Sequence, residues 1–306
     1  LQAFGSVDAS SALGQAGTWL LDPSNVDITI NTNTNPVAFV NPWVPTGDSS
    51  KVSAVNIVAV LNANTNVIIQ TNNAGGTQSG NITMATGASI TSTGTATLTL
   101  IAAGNINSTE TITGTGVGAL SVVLGAVGSV TVTAAINTNG GNFTVQGADA
   151  TGATLAAGAS SVVLDANITT ANLTLLANGA VRIESGIVTV GGNLVITSSI
   201  TDTGVPIFQN ALSQLVVAGT SQFTNNLGGG IQLNGLTNAF TGAVSLSNSN
   251  GTNPTNGGSI NIVTNAALIL GTVTMTRTQP ADTLFITAGG NITQTGILIS
   301  GSGAVN

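Results

Sequence analysis

The sequence predicts an all-β fold of the parallel β-helix type, a solenoid, and three observations point to it. Apolar residues alternate with Thr, Ser or Asn over about four to six residues and then meet Gly or Asn, which is typical of short strands and turns. The strands come in sets of three that recur at intervals of about 19–24 residues. Charged residues make up only 4% of the chain, so uncharged Thr, Ser and Asn side chains must face the solvent.

The coils are clearest in the middle of the chain. Ser129–Gly147 contains three short strands with two corners, and Ser161–Ala177 and Ala180–Thr197 repeat that form. Val162 and Val181 therefore begin equivalent strands of adjacent coils. Each strand should pair with its equivalents at ~4.8 Å, with Val, Ile and Leu stacked inside. About 12–14 such coils would form a rod ~60–70 Å long.

Gly-Asn pairs mark the predicted corners of these coils. Glycine tolerates left-handed backbone angles, and the asparagine side chain can bond local backbone or stack on an asparagine of the next coil. Gly80-Asn81 and Gly104-Asn105 open two segments that align with each other from these pairs onward. The asparagines to which we assign this structural corner role are Asn81, Asn105, Asn142, Asn193 and Asn291.

We expect one β-helix domain over residues 1–306, as part of a longer chain. A less regular, loop-containing stretch covers residues 31–80, and the apolar spacing within Lys51–Asn64 predicts a turn or two of helix there. Two loops, Asn31–Asp48 and Ser247–Gly258, interrupt the period of the coils and are the expected lateral contact points.

The composition argues against several classes of function. With three Lys and Arg residues and a net charge of -7, the chain cannot form the basic stripe that nucleic acid requires. It contains no His and no Cys, which removes thiol catalysis, thiolate metal sites and the usual base of a serine nucleophile. The sequence contains no run of 18 apolar residues, so it does not predict membrane insertion.

The N-terminal part carries a family resemblance. The phrase "GSVDASSALGQAGTWLLDPSNVDITI" is followed in order by "PTGDSSKVS", "AVLNANTNVIIQT" and "GNITMA". These segments, the last of which ends at Ala85, resemble exoproteins of the filamentous haemagglutinin type, which leave the cell by two-partner secretion. The resemblance implies a right-handed parallel β-helix, export from a Gram-negative-type cell, and a role in adhesion or extracellular structure.

Both tryptophans invite a structural and a binding interpretation. Trp19 can plug a corner of the core, and Asp22-Pro23 is a turn starter, so we assign all three residues to a structural corner. A stacking platform for a sugar ring is the alternative for Trp19. Trp43 follows a proline in a predicted loop and is the candidate for an exposed binding contact.

An enzyme is the sharpest alternative, because parallel β-helices include enzymes that cleave polysaccharides. Asp165 and Glu184 end equivalent strands, so their carboxylates could lie ~5 Å apart, near the separation of a retaining glycosidase pair. Arg182 lies two positions before Glu184. We favour the simpler interpretation, in which the two acids keep strand ends soluble, Arg182 neutralises them, and the protein is not an enzyme.

Two further binding functions are alternatives, a calcium site and a face that binds ice or another crystal surface. Calcium needs several close carboxylates, whereas the acids here are scattered, so we predict no metal and no cofactor. The threonines within Thr91–Leu100 suggest a rank of hydroxyls that could meet ice or a crystal surface.

The sequence thus predicts a secreted, non-catalytic structural or adhesive protein at a bacterial cell surface. Its expected partner is a glycan or a host or neighbouring cell, bound through loops or lateral faces. The alternative is a filament subunit that associates with itself through its open coil ends, which are templates for further strand pairing.

Overall fold

The structure, a computed structural model, describes residues 23–73, 75–200, 205–249, 258–275 and 283–300, and the backbone of residues 304–305. The chain winds into a β-solenoid of about 11 turns, with about 24 residues per turn. The predicted fold class is confirmed. The coil number is lower than expected, because most turns are as long as the longest predicted repeat.

Three sheets run along the solenoid, and their strands are numbered here in chain order. Sheet 1 contains twelve strands: β1 (Val26–Thr29), β2 (Ser50–Ser53), β4 (Ile82–Met84), β7 (Ile106–Ser108), β10 (Ser129–Val132), β14 (Ser161–Asp165), β17 (Val181–Ser185), β20 (Ile207–Gln209), β23 (Ile231–Leu233), β26 (Ile260–Thr264), β28 (Thr283–Ala288) and β31 (Ala304–Val305). Sheet 2 contains seven: β5 (Ile90–Ser92), β8 (Ile112–Gly114), β11 (Ile136–Asn137), β15 (Ile168–Thr170), β18 (Ile187–Val190), β21 (Gln214–Val217) and β24 (Ala239–Phe240).

Sheet 3 contains twelve strands: β3 (Val67–Gln70), β6 (Ala96–Ala102), β9 (Leu120–Ala126), β12 (Phe143–Ala148), β13 (Leu155–Ala156), β16 (Leu173–Ala177), β19 (Leu194–Ser198), β22 (Ser221–Asn225), β25 (Val244–Asn248), β27 (Leu268–Met275), β29 (Ile292–Gln294) and β30 (Leu298–Ser300). Among these elements the strands pair in parallel, except that β13 folds back antiparallel on β12. The described helix is α1 (Ala54–Asn62), which lies within the predicted helical stretch.

The core is built from aliphatic side chains stacked in register. Val162 pairs with Val181, as the sequence predicted, and both are fully buried. The same inward position of sheet 1 is aliphatic and at most 1% exposed in every strand from β1 to β28 along the sheet: Val26, Ile82, Ile106, Val130, Val162, Val181, Ile207, Ile231, Ile260 and Leu284. Since burying one such side chain contributes about 1.5–3 kcal/mol, this column alone is a large share of the folding free energy.

The N-terminal end of the solenoid is closed by residues 31–66, which we call the cap. At sheet 1, Thr34 forms an antiparallel bridge with Lys51 on the outer side of β2. Trp43 forms a parallel bridge with Ile69 beyond β3, and α1 packs on β5 of sheet 2. The cap therefore bridges the described edges of sheets 1 and 3 and covers β5 of sheet 2 with a helix, and covering an edge is one way in which proteins avoid edge-to-edge association.

Asparagine side chains of the cap act as substitutes for a missing strand. Asn33 Oδ1 accepts a hydrogen bond from Ser53 N (2.7 Å), and Asn41 Oδ1 accepts one from Ile68 N (3.0 Å). After α1, three alternate asparagines accept from three alternate amides of the next coil at 2.7–2.8 Å: Asn62 from Thr93, Asn64 from Thr95 and Asn66 from Thr97. These amides at the edge of the next coil are thus satisfied without an additional strand.

Candidate functional site

The predicted corner asparagines form two hydrogen-bonded ladders. In the first, Asn25 Oδ1 accepts from Asn81 N (2.9 Å), Asn81 Oδ1 from Asn105 N (2.8 Å), and Asn105 Oδ1 from Ser129 N (2.8 Å). Each side chain satisfies an amide of the next coil. The ladder therefore gives these residues a structural role.

The second ladder runs along another corner. Asn172 Nδ2 donates to Asn142 Oδ1 (2.9 Å), Asn172 Oδ1 accepts from Asn193 N (2.8 Å), and Asn193 Oδ1 accepts from Thr220 N (3.0 Å). Asn291 shares the backbone bond of the other corner asparagines, since its carbonyl accepts from Leu268 N, but among the described residues its side chain joins neither ladder.

The glycines before these asparagines are needed for two different reasons. Gly80 has a φ of +72°, the left-handed conformation that the sequence predicted. Gly104 and Gly192 do not have positive φ; a Cβ there would instead collide with Asn81 Oδ1 and Asn172 Oδ1 of the previous coil. At these two corners the expectation of a left-handed angle is wrong, and close approach of the ladder is the reason for glycine.

Trp43 does not lie in an exposed loop, so the expectation that it could contact a ligand there is corrected. Its side chain is fully buried and is the largest fully buried side chain of the described residues. Trp43 N donates to Ile68 O (2.8 Å), and Gln70 N donates to Trp43 O (3.0 Å), which fixes the backbone against β3. The indole therefore covers the N-terminal end of the apolar core, because the cap has no regular strand to fill that space.

The two candidate catalytic acids are shifted relative to each other. A bulge interrupts the pairing of β14 with β17, and Asp165 lies opposite Ser185 instead of Glu184. The equivalence of Asp165 and Glu184 is therefore wrong by one position. Glu184 instead pairs with Arg182 on its own strand, with 3.3 Å between Oε1 and Nη1, and both side chains are partly exposed.

The ion pair belongs to a larger outward-facing column on sheet 1. Arg182 stacks on Phe208 of the next coil, with its guanidinium carbon 5.1 Å from the ring centroid. The register continues this column, which we call the Arg182 face: Val163, Arg182, Phe208, Gln232, Asn261 and Phe285. Asn261 Nδ2 also donates to Asn234 Oδ1 (2.9 Å). Neighbouring members are ~4.8 Å apart along the rod.

The sequence did not predict that these groups of the Arg182 face lie together. A planar cation, a carboxylate, two amides and exposed aromatic carbon lie side by side, and these groups donate to, accept from and pack against sugar rings. The signal was present in the outward positions, but they become neighbours only once the register that pairs β17 with β20 and β20 with β23 is known.

Two other carboxylates hold loops in place. Hydrogen bonds from the side chain and backbone of Thr77, and from Ser24 Oγ, hold the pKa of Asp48 below its ordinary value. Partial burial raises the pKa of Asp149, but bonds from Ala153, Thr154 and Thr151 outweigh burial and lower it. Both carboxylates accept hydrogen bonds from their own loops or from neighbouring segments. Their role is therefore structural.

The remaining sequence predictions concern the Trp19 corner, the two contact loops and the threonine rank. Trp19 and Asp22 lie outside the described residues. Pro23 is the first described residue and is half-buried. Loop 31–48 forms part of the cap, and residues 250–257 of the other predicted contact loop are outside the described part. The suggested threonine rank continues outward on sheet 2 but is interrupted by Asn137: Thr91, Thr113, Asn137, Thr169 and Thr189.

Within the described ranges, no three His, Cys, Asp or Glu side chains lie close enough together to hold a metal ion. Among the same residues, no helix has the length and apolar character needed to cross a bilayer.

The C-terminal end of the solenoid exposes apolar side chains. Ile292 pairs with Leu268, and Leu298 pairs with Val273, and both partners are fully buried core residues. Ile292 and Leu298 therefore continue inward columns, yet they are 49% and 38% exposed. We call the four exposed aliphatic residues there the open end: Ile292, Ile297, Leu298 and Ile299.

The comparisons with known proteins found no relative. No family model, no curated protein and no solved structure matches the chain. What is established is a parallel β-solenoid repeat protein.

Proposed function

We propose that the protein is a non-catalytic adhesive rod at the surface of a bacterium, of the filamentous haemagglutinin type, and that it binds a glycan through the Arg182 face. The sequence segments up to Ala85 that resemble this family support the proposal, and the parallel solenoid is compatible with it. The observation that carries the proposal is the clustering of Arg182, Glu184 and Phe208 on one lateral face.

The chemistry of this face suits neutral hydroxyl-rich ligands. Arg182 supplies a planar set of donors, Glu184 supplies acceptors, and Gln232 and Asn261 supply both. The guanidinium and the carboxylate offset each other, so the face has little net charge to select for phosphate or for a basic partner. A column of groups ~4.8 Å apart can bind an extended chain of sugars along the rod axis.

Immobilised glycans test this proposal. The full chain should bind at least one class of neutral oligosaccharide, and Arg182→Ala and Phe208→Ala should each weaken binding at least tenfold. Asn107→Ala is the matched control, since Asn107 faces outward in the same column three coils earlier. Absence of binding by the wild-type chain, or unchanged binding by Arg182→Ala, would contradict the proposal.

The same glycans test whether the protein is catalytic. We expect no reducing or unsaturated sugar to be released. Release that disappears in Glu184→Gln would instead support the polysaccharide-cleaving alternative.

A filament subunit that associates through its coil ends is the second candidate, since Ile292 and Leu298 are inward side chains that no described coil covers. Electron microscopy of the purified chain distinguishes the two candidates, because a filament subunit would form long fibres of uniform width whereas an adhesive rod would remain short. The cap argues for short rods, because it bridges the described N-terminal edges of sheets 1 and 3 and packs a helix on β5 of sheet 2.

A further inference from the structure

One segment leaves the winding path of the solenoid and crosses three coils on its outside. Residues 149–158, which we call the strap, follow β12 and fold back antiparallel on it through β13. Sheet 3 is ordered β12, β9, β6, β3 in this region, so the coil of β3 is three coils away from the coil of β12. Gln70 at the end of β3 nevertheless donates from Nε2 to Ala153 O in the strap (2.6 Å). The strap thus bonds to a coil that is not a neighbour of its own.

The strap lies directly on the outer surface of sheet 3. Ile101 occupies an outward position of β6, opposite Gly125 of β9, yet it is only 4% exposed. A Cβ at Gly125 would collide with the Leu155 side chain of the strap. A Cβ at Gly152 in the strap would collide with Thr71 Oγ1, just beyond β3. Glycine at these two positions therefore lets the strap approach the coils of β9, β6 and β3 closely.

The carboxylate of Asp149 holds the strap in one shape. Asp149 Oδ1 accepts from Thr151 Oγ1 (2.9 Å) and Ala153 N (2.9 Å), and Oδ2 accepts from Thr154 Oγ1 (2.8 Å). Asp149 N also donates to Thr154 O (2.9 Å). Ala153 is therefore bonded on both sides, through its amide to Asp149 next to β12 and through its carbonyl to Gln70 on β3. These bonds connect the two coils through a short, fixed segment.

A connection of this kind departs from the usual energetics of a solenoid. Each coil normally contacts only its neighbours, so coils can open one at a time from an end. We propose that the strap is a clasp that fastens the coil of β3 to the coil of β12, so that these four coils open as one cooperative unit. Opening any of the three interfaces between them would also separate the strap from β3. The four coils can then bear a load along the rod axis as one body. The clasp lies on sheet 3, so it is independent of glycan binding on sheet 1.

Native-state amide hydrogen exchange on the complete chain tests the clasp. In the wild-type chain, the amides of β3, β6, β9 and β12 should exchange through one common opening, with the same dependence on denaturant. Gly152→Ala should displace the strap, because its Cβ would collide with Thr71 Oγ1 and Ala103 N. The amides of β3 should then exchange at least tenfold faster than those of β12. Gln70→Ala removes the bond to Ala153 O and should separate the two strands by about fivefold, the effect of one net hydrogen bond.

The chain offers a matched control for each variant. Gly116 has a φ of +70°, close to the +69° of Gly152, but a Cβ there would meet no atom within 4 Å. Gly116→Ala therefore introduces the same backbone strain without the collision. Gln222 is an outward glutamine of sheet 3 whose Nε2 donates within its own strand, to Thr224 Oγ1 (3.4 Å), so Gln222→Ala is the control for Gln70→Ala. Both controls should keep β3 and β12 in one opening.

The comparison of β3 with β12 decides the result. Separate openings of the two strands in the wild-type chain would overturn the proposal. So would a common opening that survives in Gly152→Ala and Gln70→Ala, or an equal separation in Gly116→Ala. If Gly152→Ala does not fold, Gln70→Ala provides the same test, because the Gln70 side chain lies outside the apolar core.

Discussion

The two ends of this solenoid solve the same problem differently. At the N-terminal end, the cap brings a buried tryptophan, a helix and a set of asparagine side chains to the strand edges. At the C-terminal end, the regular coil pattern continues to the last described strands and leaves inward isoleucine and leucine partly exposed. The comparison teaches that inward side chains of a coil are buried only where another coil or a non-repeating segment such as the cap covers them.

The cap also explains why its sequence looks irregular. Gly94 lies against the last turn of α1, where a Cβ would collide with Leu61 O. Ile57 and Leu61 of α1 fill the core above β5, where a strand would otherwise supply two inward side chains. Irregular spacing here reflects a different way of burying the same apolar surface.

The largest expected effect is the removal of the cap's tryptophan. Trp43→Ala should lower the free energy of unfolding by about 3–5 kcal/mol, the usual cost of deleting a buried aromatic side chain. Trp43→Phe is the control and should cost much less, because it keeps most of the apolar volume and removes an indole N–H that has no hydrogen-bond partner. Chemical denaturation measures both, and equal losses would contradict a filling role.

A matched pair within one column compares the interior with the open end. Leu268→Ala, at a fully buried position, should cost about 2–5 kcal/mol. Ile292→Ala, one coil later in the same column, should cost less than half as much, because its side chain is already 49% exposed. Chemical denaturation of the two variants provides the test. A cost for Ile292 as large as that for Leu268 would mean that the end is covered.

The start of α1 should have a smaller effect. Ser53 Oγ accepts from Asn56 N (3.3 Å) as the N-cap of the helix, so Ser53→Ala should cost about 0.5–2 kcal/mol. Ser160→Ala, at an exposed serine, is the control and should stay within about 0.5 kcal/mol of the wild type. Thermal unfolding of the two variants distinguishes a helix cap from a general loss of hydroxyls.

Acid should loosen the cap only slightly. Because the folded-state pKa of Asp48 lies below its ordinary 3.8, Asp48 stabilises the fold above that value and loses this contribution as the pH falls through the lowered folded pKa. Nuclear magnetic resonance of the Thr77 amide, which donates to Asp48 Oδ1, should report the change. In Asp48→Asn the amide signal should no longer titrate, and a signal that still titrates would assign the effect to another group.

The fold was largely predictable, because stacked coils repeat the same local pattern. The offset that aligns Asn81 with Asn105 in the sequence is the offset at which β4 and β7 pair, and the two residues bond each other in the ladder. The helix was predictable from apolar spacing, and it lies within the expected stretch.

The candidate site was less predictable, because side-chain environment depends on register. Trp43 lies between prolines, as exposed loop residues often do, yet its side chain is fully buried. Its backbone is held there by a bridge to Ile69, which follows the helix in the sequence. A single bulge in the pairing of β14 with β17 shifts Asp165 out of register with Glu184, and the sequence did not predict that bulge.

Two buried pairs of amides were also missed. Gln209 and Asn238 exchange two side-chain hydrogen bonds (2.7 and 2.8 Å) inside the core, and Asn225 donates to Asn248 (2.9 Å). Nothing in the composition separates these residues from their solvent-facing counterparts, since Gln209 meets Asn238, and Asn225 meets Asn248, only after the coils are in register.

Amide hydrogen exchange along the chain tests the contrast between the two ends most directly. We predict slow exchange at Ile68 and Gln70, whose amides donate to Asn41 Oδ1 and Trp43 O, and fast exchange along β29 and β30, which pair on one side only. Fast exchange at Ile68 and Gln70, or uniform protection through β29 and β30, would contradict the account of a closed N-terminal end and an open C-terminal end.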